Sequence, residues 1–522
     1  MLSLIIRNAW IVDGSGNPSY RGDLAVEAGR IAWIDHNPEA QADQVIDAAG
    51  KVLCPGFIDV HTHSELAMLA GEHTAGVRMG VTTELIAPDG FCFAPLPAER
   101  LAEYRRYLYG IYGDADVGWD WGSFAEYLQR FEGQVYNNIV PQVPHGALRL
   151  AVKGWAPGSA SEEELAAMGR LARECMEAGS VGLNAGLDYA PAAQSDLREL
   201  VTLCRIVAEY GGVYAAHIRG YDDEAREAAI AETVAIAEQA GIGVHISHFS
   251  GTPQIFASTE AARARGIDIT FDSYPYMAGC TFLTFTLPRT FIVSSTDQVA
   301  DQLKGPEARQ VVRRTLDWKL PEDSPAYFAS LSQPKNKWME GVPVRQAWKE
   351  SGQTGQSFVD FVCDLLVEEE LAPVLIYPWG GDMEANEARM RYTLTHPLQM
   401  ILTDGIYRGR FTHPRGWGTY PRLLGTYVRE KGWLSLEDAI RRASGFPAMR
   451  FGLNDRGHLR QGKAADLVVF DPQTIADRAT FLEPRLPPIG IEQVFVNGVP
   501  VVRDGELIPG NRPGRIVRRH GG

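Results

Sequence analysis

Between Ser161 and His248 the chain alternates amphipathic helices with short apolar strands, and this rhythm restricts the fold more than any other feature of the sequence. Ser161 and Glu164 make a capping-box pair ahead of Leu165, Met168, Leu171 and Cys175 on one helical stripe, which Gly179 closes. The strand Val181-Gly182-Leu183 follows, then a helix predicted from about Asp196 to Glu209 with Leu197, Leu200, Val201, Cys204 and Val207 inward. Next come a strand ending at His217, an Ala-rich helix over about 223–239, and a strand ending at His248. Strand–helix alternation repeated this often means parallel βαβ units. Eight such units closing on themselves make an α/β fold, a TIM-like (β/α)8 barrel whose chemistry sits where the strands end.

Residues 57 to 63 read Phe-Ile-Asp-Val-His-Thr-His. Side chains at i and i+2 of a strand share a face, so His61 and His63 project together from the end of a buried strand and are able to hold one metal ion. His-x-His alone is a weak signal. Here His217, His248 and Asp404, the last in Met400-Ile-Leu-Thr-Asp404, also stand at the ends of apolar strands. That ordered set points to a metal hydrolase.

The 522 residues exceed one ordinary compact unit but suit a large barrel plus a smaller domain, and 45% apolar content supplies the core. Both ends of the chain carry short strands at turn-rich spacing, among them Leu4-Ile5-Ile6, Leu24-Ala25-Val26, Leu467-Val468-Val469 and Val494-Phe495-Val496. Neither end has enough strands to bury its own sheet, so the termini are expected to pair into one small β-sandwich, 1–54 with 458–522, flanking a barrel over 55–457. Residues 284–355 break the rhythm with scattered Pro, Ser, Gln and Lys and are expected to be an irregular active-site lid. A net charge of −15 argues against nucleic acid or an anionic membrane as a partner. The six scattered cysteines suit free thiols in a reducing compartment. With too short an apolar start for a signal peptide and no membrane span, the sequence reads as soluble and cytoplasmic. The expected partner is a small-molecule substrate, and a homo-oligomer is compatible with the sequence.

Several stretches together resemble the amidohydrolase superfamily and, within it, the N-acyl-D-amino-acid deacylase (D-aminoacylase) family. They are Gly56-Phe-Ile-Asp-Val-His-Thr-His63, Gly80-Val-Thr-Thr83, Gly186-Leu-Asp-Tyr189, His217-Ile-Arg219, Ile246-Ser-His248, Tyr274-Pro-Tyr276, Thr403-Asp-Gly405, His413-Pro-Arg415 and Gly462-Lys-Ala-Ala-Asp-Leu-Val-Val-Phe-Asp471. The resemblance covers nearly the whole chain in order. It implies a metal-dependent hydrolase acting on carbon–nitrogen bonds other than peptide bonds, with one or two divalent ions, zinc above all, held by His61, His63, His217, His248 and Asp404. A strand-two cysteine normally joins such a set; here Pro88-Asp89-Gly90 puts Asp89 in its place. A carboxylate also bridges two ions with its two oxygens, and an oxygen bridge shifts preference toward harder ions such as manganese. Strand four, Ser180 to Gly186, offers no lysine or glutamate for the bridge. Cys92 as a ligand, and a single-metal site in which Asp89 only accepts hydrogen bonds, stand as alternatives. Lys153 reads as a solvated surface residue.

The resemblance assigns Asp404 the proton shuttle, which takes a proton from the attacking water and returns it to the leaving nitrogen. Asp404 also has a bland reading, as a turn carboxylate in Thr-Asp-Gly. Arg415 is the candidate grip for a substrate carboxylate. Tyr274 and Tyr189 are expected along the pocket, and His145 either lines it or is structural. The family often has a lysine two residues after the strand-six histidine and a serine six after the first tyrosine of Tyr-Pro-Tyr. Ser250 and Cys280 stand at those places, so the substrate is either an N-acyl-D-amino acid or another small amide, cyclic amide or carbamate. A metal-free scaffold is the remote alternative. His245 has the opposite parity to His248 and is expected to face the helices, while His36, His73, His458 and His520 read as surface residues.

Overall fold

The computed structural model describes every residue except 223, 224, 292, 293, 353, 354 and 520–522. His520 and the expected start of the Ala-rich helix near 223 therefore lie outside the described residues. The barrel strands are Phe57–Asp59, Val81–Leu85, a third in two pieces (Asn138–Val140 and Val143–Pro144), Gly182–Gly186, Val213–His217, Gly243–Ile246, Ile269–Ser273 and Gln399–Ile401. They pair in parallel from the first to the eighth. Strands two, four and five are buried at every position, as strands covered by helices outside and side chains inside must be. The helix Glu162–Glu177 carries both halves of the Ser161/Glu164 capping box. Asp196 caps Leu197–Glu209 by accepting the Glu199 N–H at 2.8 Å. The Ala-rich helix runs Arg226–Ala240.

The two termini share a single nine-stranded sheet. Its junction is the antiparallel pairing of Val52–Pro55 with Leu467–Phe470. The period-two alternation of these strands divides their work. Leu53, Leu467 and Val469 join Leu4, Ile6 and Leu24 in the sheet's own core. Val52, Cys54, Val468 and Phe470 face the other way and pack with Phe57, Val77 and Tyr420 of the barrel. All six cysteines are buried and free. Among the described residues no helix is long and apolar enough to cross a membrane.

The described residues of the segment expected to be irregular are ordered, which corrects the reading of 284–355. It contains the helices Thr296–Leu303, Pro306–Lys319 and Val344–Glu350 and the strand Tyr327–Ser330. That strand pairs with Val374–Pro378, which pairs in turn with Ala278–Phe282. The unit has its own core, including Leu303, Leu316, Phe328, Val362 and Leu366. The sequence hid this because each helix of a small unit has only a narrow inner face: Pro306–Lys319 buries Val312 and Leu316 alone. Phe328 is fully buried at the centre of that core. Phe328→Ala is expected to lower stability by about 3–5 kcal/mol, read as an earlier transition in chemical unfolding followed by circular dichroism; an unchanged transition would show that the unit adds nothing to the cooperative fold.

Candidate active site

The functional side chains gather at the carboxyl ends of the strands, and the seam between the first and last strands places the most of them. Asp404 N–H donates to His61 O at 2.8 Å, and His63 N–H donates to Gly405 O at 3.0 Å. Beneath them the buried Asp59 carboxylate accepts the Thr403 N–H at 2.9 Å, the Thr403 hydroxyl, and the His61 N–H at 3.3 Å. Three residues at strand ends, Asp89, His248 and Asp404, have left-handed backbones with φ of 56°, 37° and 47°. Such turns are strained for side chains with a Cβ, and here each bends the chain out of its strand at the barrel mouth. Gly186 lets the Asp89 turn approach: a Cβ there would stand 2.5 Å from Asp89 O.

Asp89 lies between two pairs of imidazoles. Its Oδ1 is 3.5 Å from His61 Nε2, 3.8 Å from His248 Nε2 and 4.0 Å from His217 Nδ1, and its Oδ2 is 3.7 Å from His63 Nε2. Two groups of ligand atoms result, His61/His63/Asp89 and Asp89/His217/His248, each within 4.8 Å of one another. Asp404 Oδ1 closes the first side, 3.3 Å from His63 Nε2 and 3.7 Å from His61 Nε2. Both ring nitrogens of His61 and Asp89 Oδ1 are buried with no hydrogen-bond partner among the described residues. Buried polar atoms left orphaned are costly, and divalent ions satisfy nitrogen and carboxylate donors of this kind. The residues fit a two-ion site with Asp89 as the shared ligand.

Neighbouring groups hold these ligands in usable states. Burial pushes the His61 imidazolium down to about 4, against the pull of Asp89 and Asp404, so His61 is neutral at pH 7. Burial pushes Asp404 up, but Arg415, His63, His61 and His248 outweigh it and hold the carboxyl well below its usual range. Asp89 is held low in the same way, by His61, His248 and His217 against its burial. Asp188 Oδ2 stands 3.5 Å from His217 Nε2, turning Nδ1 toward Asp89. Tyr112 Oη lies 3.2 Å from His63 Nδ1. Asp272 accepts the His248 backbone N–H and lies 2.7 Å from His245 Nε2.

A model of the amidohydrolase family matches residues 44–502. The chain belongs to that family. It is 34% identical to D-aminoacylase and 32% identical to N-acyl-D-glutamate deacylase, both of Alcaligenes xylosoxydans xylosoxydans, over 99% of this chain and 97% of each relative. It superposes on the crystal structure of N-acyl-D-glutamate deacylase from Bordetella bronchiseptica, complexed with zinc and a phosphonate mimic of the tetrahedral intermediate. There the TM-score is 0.80 at 30% identity, covering 99% of both chains. The protein is thus a metal-dependent amidohydrolase acting on non-peptide carbon–nitrogen bonds.

In this amidohydrolase a cavity of about 320 Å³ opens in front of His63, Asp89, His217, His248 and Asp404, and Tyr189, Tyr274, Ser250 and Cys280 line it as expected. Burial pushes the Cys280 thiol up to about 12, so it is protonated. Arg415 sits differently from its expected role. It has no solvent exposure and is absent from the cavity wall; its Nη2 lies 2.8 Å from Asp404 Oδ2, and its guanidinium covers the Tyr274 ring at 4.5 Å. His145 does not reach the cavity: its Nε2 lies 2.8 Å from Glu199, which also pairs with Arg149 in a fully buried network. Cys92 lies in the main apolar core, with its thiol pushed up by burial, and belongs to neither ligand group. Lys153 pairs with Glu164 at 3.4 Å and is mostly covered, away from the ligands. His73 corrects the surface reading too, being buried 2.8 Å from Glu84. His245 faces Phe451 outside the barrel, as its parity requires.

Sequence reading gave no role to Asp59, Asp188, Tyr112 or Arg389. Asp188 was within reach, in the Gly186-Leu-Asp-Tyr189 stretch beside Tyr189; the others carry no local pattern. Two outcomes follow. Asp89→Ala is expected to bind fewer than two ions per chain, and Asp89→Cys to recover the lost metal, by elemental analysis of purified protein; full metal content in Asp89→Ala would remove Asp89 from the bridge. Glu199→Ala leaves His145 and Arg149 unpaired in the interior and is expected to cost about 3–5 kcal/mol of stability. Its metal content should stay at the wild-type level, and a metal-deficient but stable variant would return His145 to the site.

Proposed function

We propose that this amidohydrolase removes the acyl group from N-acyl-D-amino acids, with zinc as its metal. The observation that carries the reading is the Asp89 carboxylate shared by two histidine pairs, with the ionised Asp404 facing it across the cavity floor. The nitrogen-rich donor set suits zinc, and the relatives named above are deacylases of D-amino-acid derivatives. When bound, the divalent ions lower the pKa of water and polarise the amide carbonyl. The chain's own residues do the rest. Asp404 accepts the proton of the attacking water on one oxygen and delivers it to the leaving nitrogen, which cannot depart as an anion. Arg415 fixes the other oxygen, so the carboxylate does not rotate between the two transfers. Tyr189, packed on the His217 ring at 4.7 Å, and Phe91 shield the reacting centre from bulk water.

A second reading, hydrolysis of another small amide, a cyclic amide or a carbamate, draws on Ser250 and Cys280 in the cavity wall. A panel of N-acetyl-D-amino acids, their L-enantiomers and cyclic amides decides between the two: turnover confined to cyclic amides would overturn the deacylase reading. Asp404→Asn is expected to lower kcat by about 10²–10⁴-fold, with the His61/His63/Asp89 and Asp89/His217/His248 groups still binding metal. Wild-type kcat in that variant would take the proton shuttle away from Asp404.

A further inference from the structure

We infer that Asp188, held in place by Arg289, is a positioning residue that fixes the His217 imidazole and sets the affinity of the ion taken by Asp89, His217 and His248. The inference rests on the two-ion fit of the site and not on the substrate. His217 turns its Nδ1 inward, 4.0 Å from Asp89 Oδ1 and 3.2 Å from His248 Nε2. On the outward edge of the ring Asp188 Oδ2 stands 3.5 Å from Nε2. Asp188 belongs to neither group of ligand atoms, so its carboxylate acts through the imidazole. Tyr189 and Tyr221 pack on the same ring, with centroids at 4.7 and 4.8 Å, and limit its tilt. A carboxylate behind a ligating imidazole holds the ring's orientation and makes its other nitrogen a stronger donor.

Two features set this contact apart. Among the described residues, His217 is the one ligand imidazole with a carboxylate on its outward nitrogen. His61 Nδ1 has no partner among those residues, and His63 Nδ1 meets the Tyr112 hydroxyl at 3.2 Å. The His248 ring meets Asp89 through Nε2, its inward nitrogen. The Asp89/His217/His248 group thus draws on a backing charge that the His61/His63/Asp89 group lacks. The backing carboxylate is also held from behind. Its Oδ1 lies 3.4 Å from Arg289 Nη2, which stands 3.9 Å from Asp222 Oδ2 as well. Gly220 makes room for that guanidinium: a Cβ there would stand 2.2 Å from Arg289 Nη2. The two oxygens of Asp188 divide between a cation and an imidazole, so the carboxylate cannot turn without losing one of them. Arg289 follows Leu283–Thr286 in the inserted segment. That segment therefore reaches the ion site through one ion pair and one imidazole.

Competition between the zinc-loaded full chain and a chromophoric chelator gives a dissociation constant for each ion. Asp188→Ala is expected to weaken one ion by about 10–100-fold and to leave the other at its wild-type value. Asp188→Asn, whose amide oxygen still accepts a hydrogen bond, should recover part of the loss. Arg289→Ala should weaken the same ion by about two- to fivefold, the worth of a half-exposed ion pair, and Arg289→Lys should restore it. In a His248→Ala chain, stripped of one of that ion's ligands, adding Asp188→Ala should leave the constant of the remaining ion unchanged. In the cobalt-substituted chain, Asp188→Ala should alter the visible absorption of one ion alone. Wild-type constants in Asp188→Ala, equal weakening of both ions, or a further loss in the His248→Ala chain would overturn the inference. Should Asp188→Ala lose its circular-dichroism signature, Asp188→Asn and Arg289→Ala decide the question, and unchanged constants in both overturn it. No substrate enters the measurement, so failure of the deacylase reading and failure of this inference are read separately.

Discussion

The closure of the barrel between its first and last strands is the constraint on which the site depends. Asp59 and Thr403 are 344 positions apart in the chain, yet the carboxylate of one holds both the backbone and the hydroxyl of the other. A parallel barrel has to close somewhere, and here the seam runs directly under His61, His63 and Asp404. Two backbone bonds above the carboxylate set Asp404 against His61 and His63 against Gly405. The backbones of His61, His63 and Asp404 are thereby fixed to one another by main-chain bonds. Burial pushes the Asp59 carboxyl well upward, with Glu84 adding to the effect, while its three hydrogen bonds pull the other way.

Around that seam the ligands are kept in costly states by neighbours that need no contact with substrate. Left-handed backbone at Asp89, His248 and Asp404 stores strain of order 1–3 kcal/mol each, and the surrounding strands supply the stability that offsets it. Asp188 and Tyr112 lie against the far sides of the His217 and His63 rings, and Asp272 accepts the His248 backbone N–H. Four buried or half-buried carboxylates, Asp89, Asp188, Asp272 and Asp404, lie among the four imidazoles, and the orphaned atoms of His61 and Asp89 are where divalent ions would fit. The inserted unit contributes differently. Its sheet carries Cys280 and Phe282 to the cavity on one strand, and Tyr377 on another.

Two substitutions relative to the family pattern have consistent physical outcomes. Aspartate in place of the strand-two cysteine keeps an anionic donor between the two histidine pairs, and its two oxygens divide between His61 and His63. Serine in place of lysine after His248 leaves the loop without its own charge, and a guanidinium reaches that serine from another element. In both cases the charge at the place persists while the residue that supplies it changes.

The barrel, the pairing of the terminal strands and the placement of His61, His63, His217, His248 and Asp404 at strand ends were legible in the sequence because they obey local periodicity. Strand alternation pairs His61 with His63, capping residues mark helix starts, and apolar runs ending in histidine or aspartate mark the catalytic end. The helical order of 284–355 was not legible, since its helices bury too few residues to imprint a periodic stripe. Nor was the exclusion of His145, whose neighbours Glu199 and Arg149 meet it only across packed helices. The division between the two arginines lay equally beyond the sequence. Arg415 and Arg389 are alike as residues, and only tertiary packing buries one against Asp404 and sets the other on the cavity wall. Backbone periodicity is written over a few neighbouring residues, so the sequence alone determined the scaffold and which side chains stand at its strand ends. Which charge meets which is decided by distances between elements far apart in the chain, and the tertiary structure alone settled that.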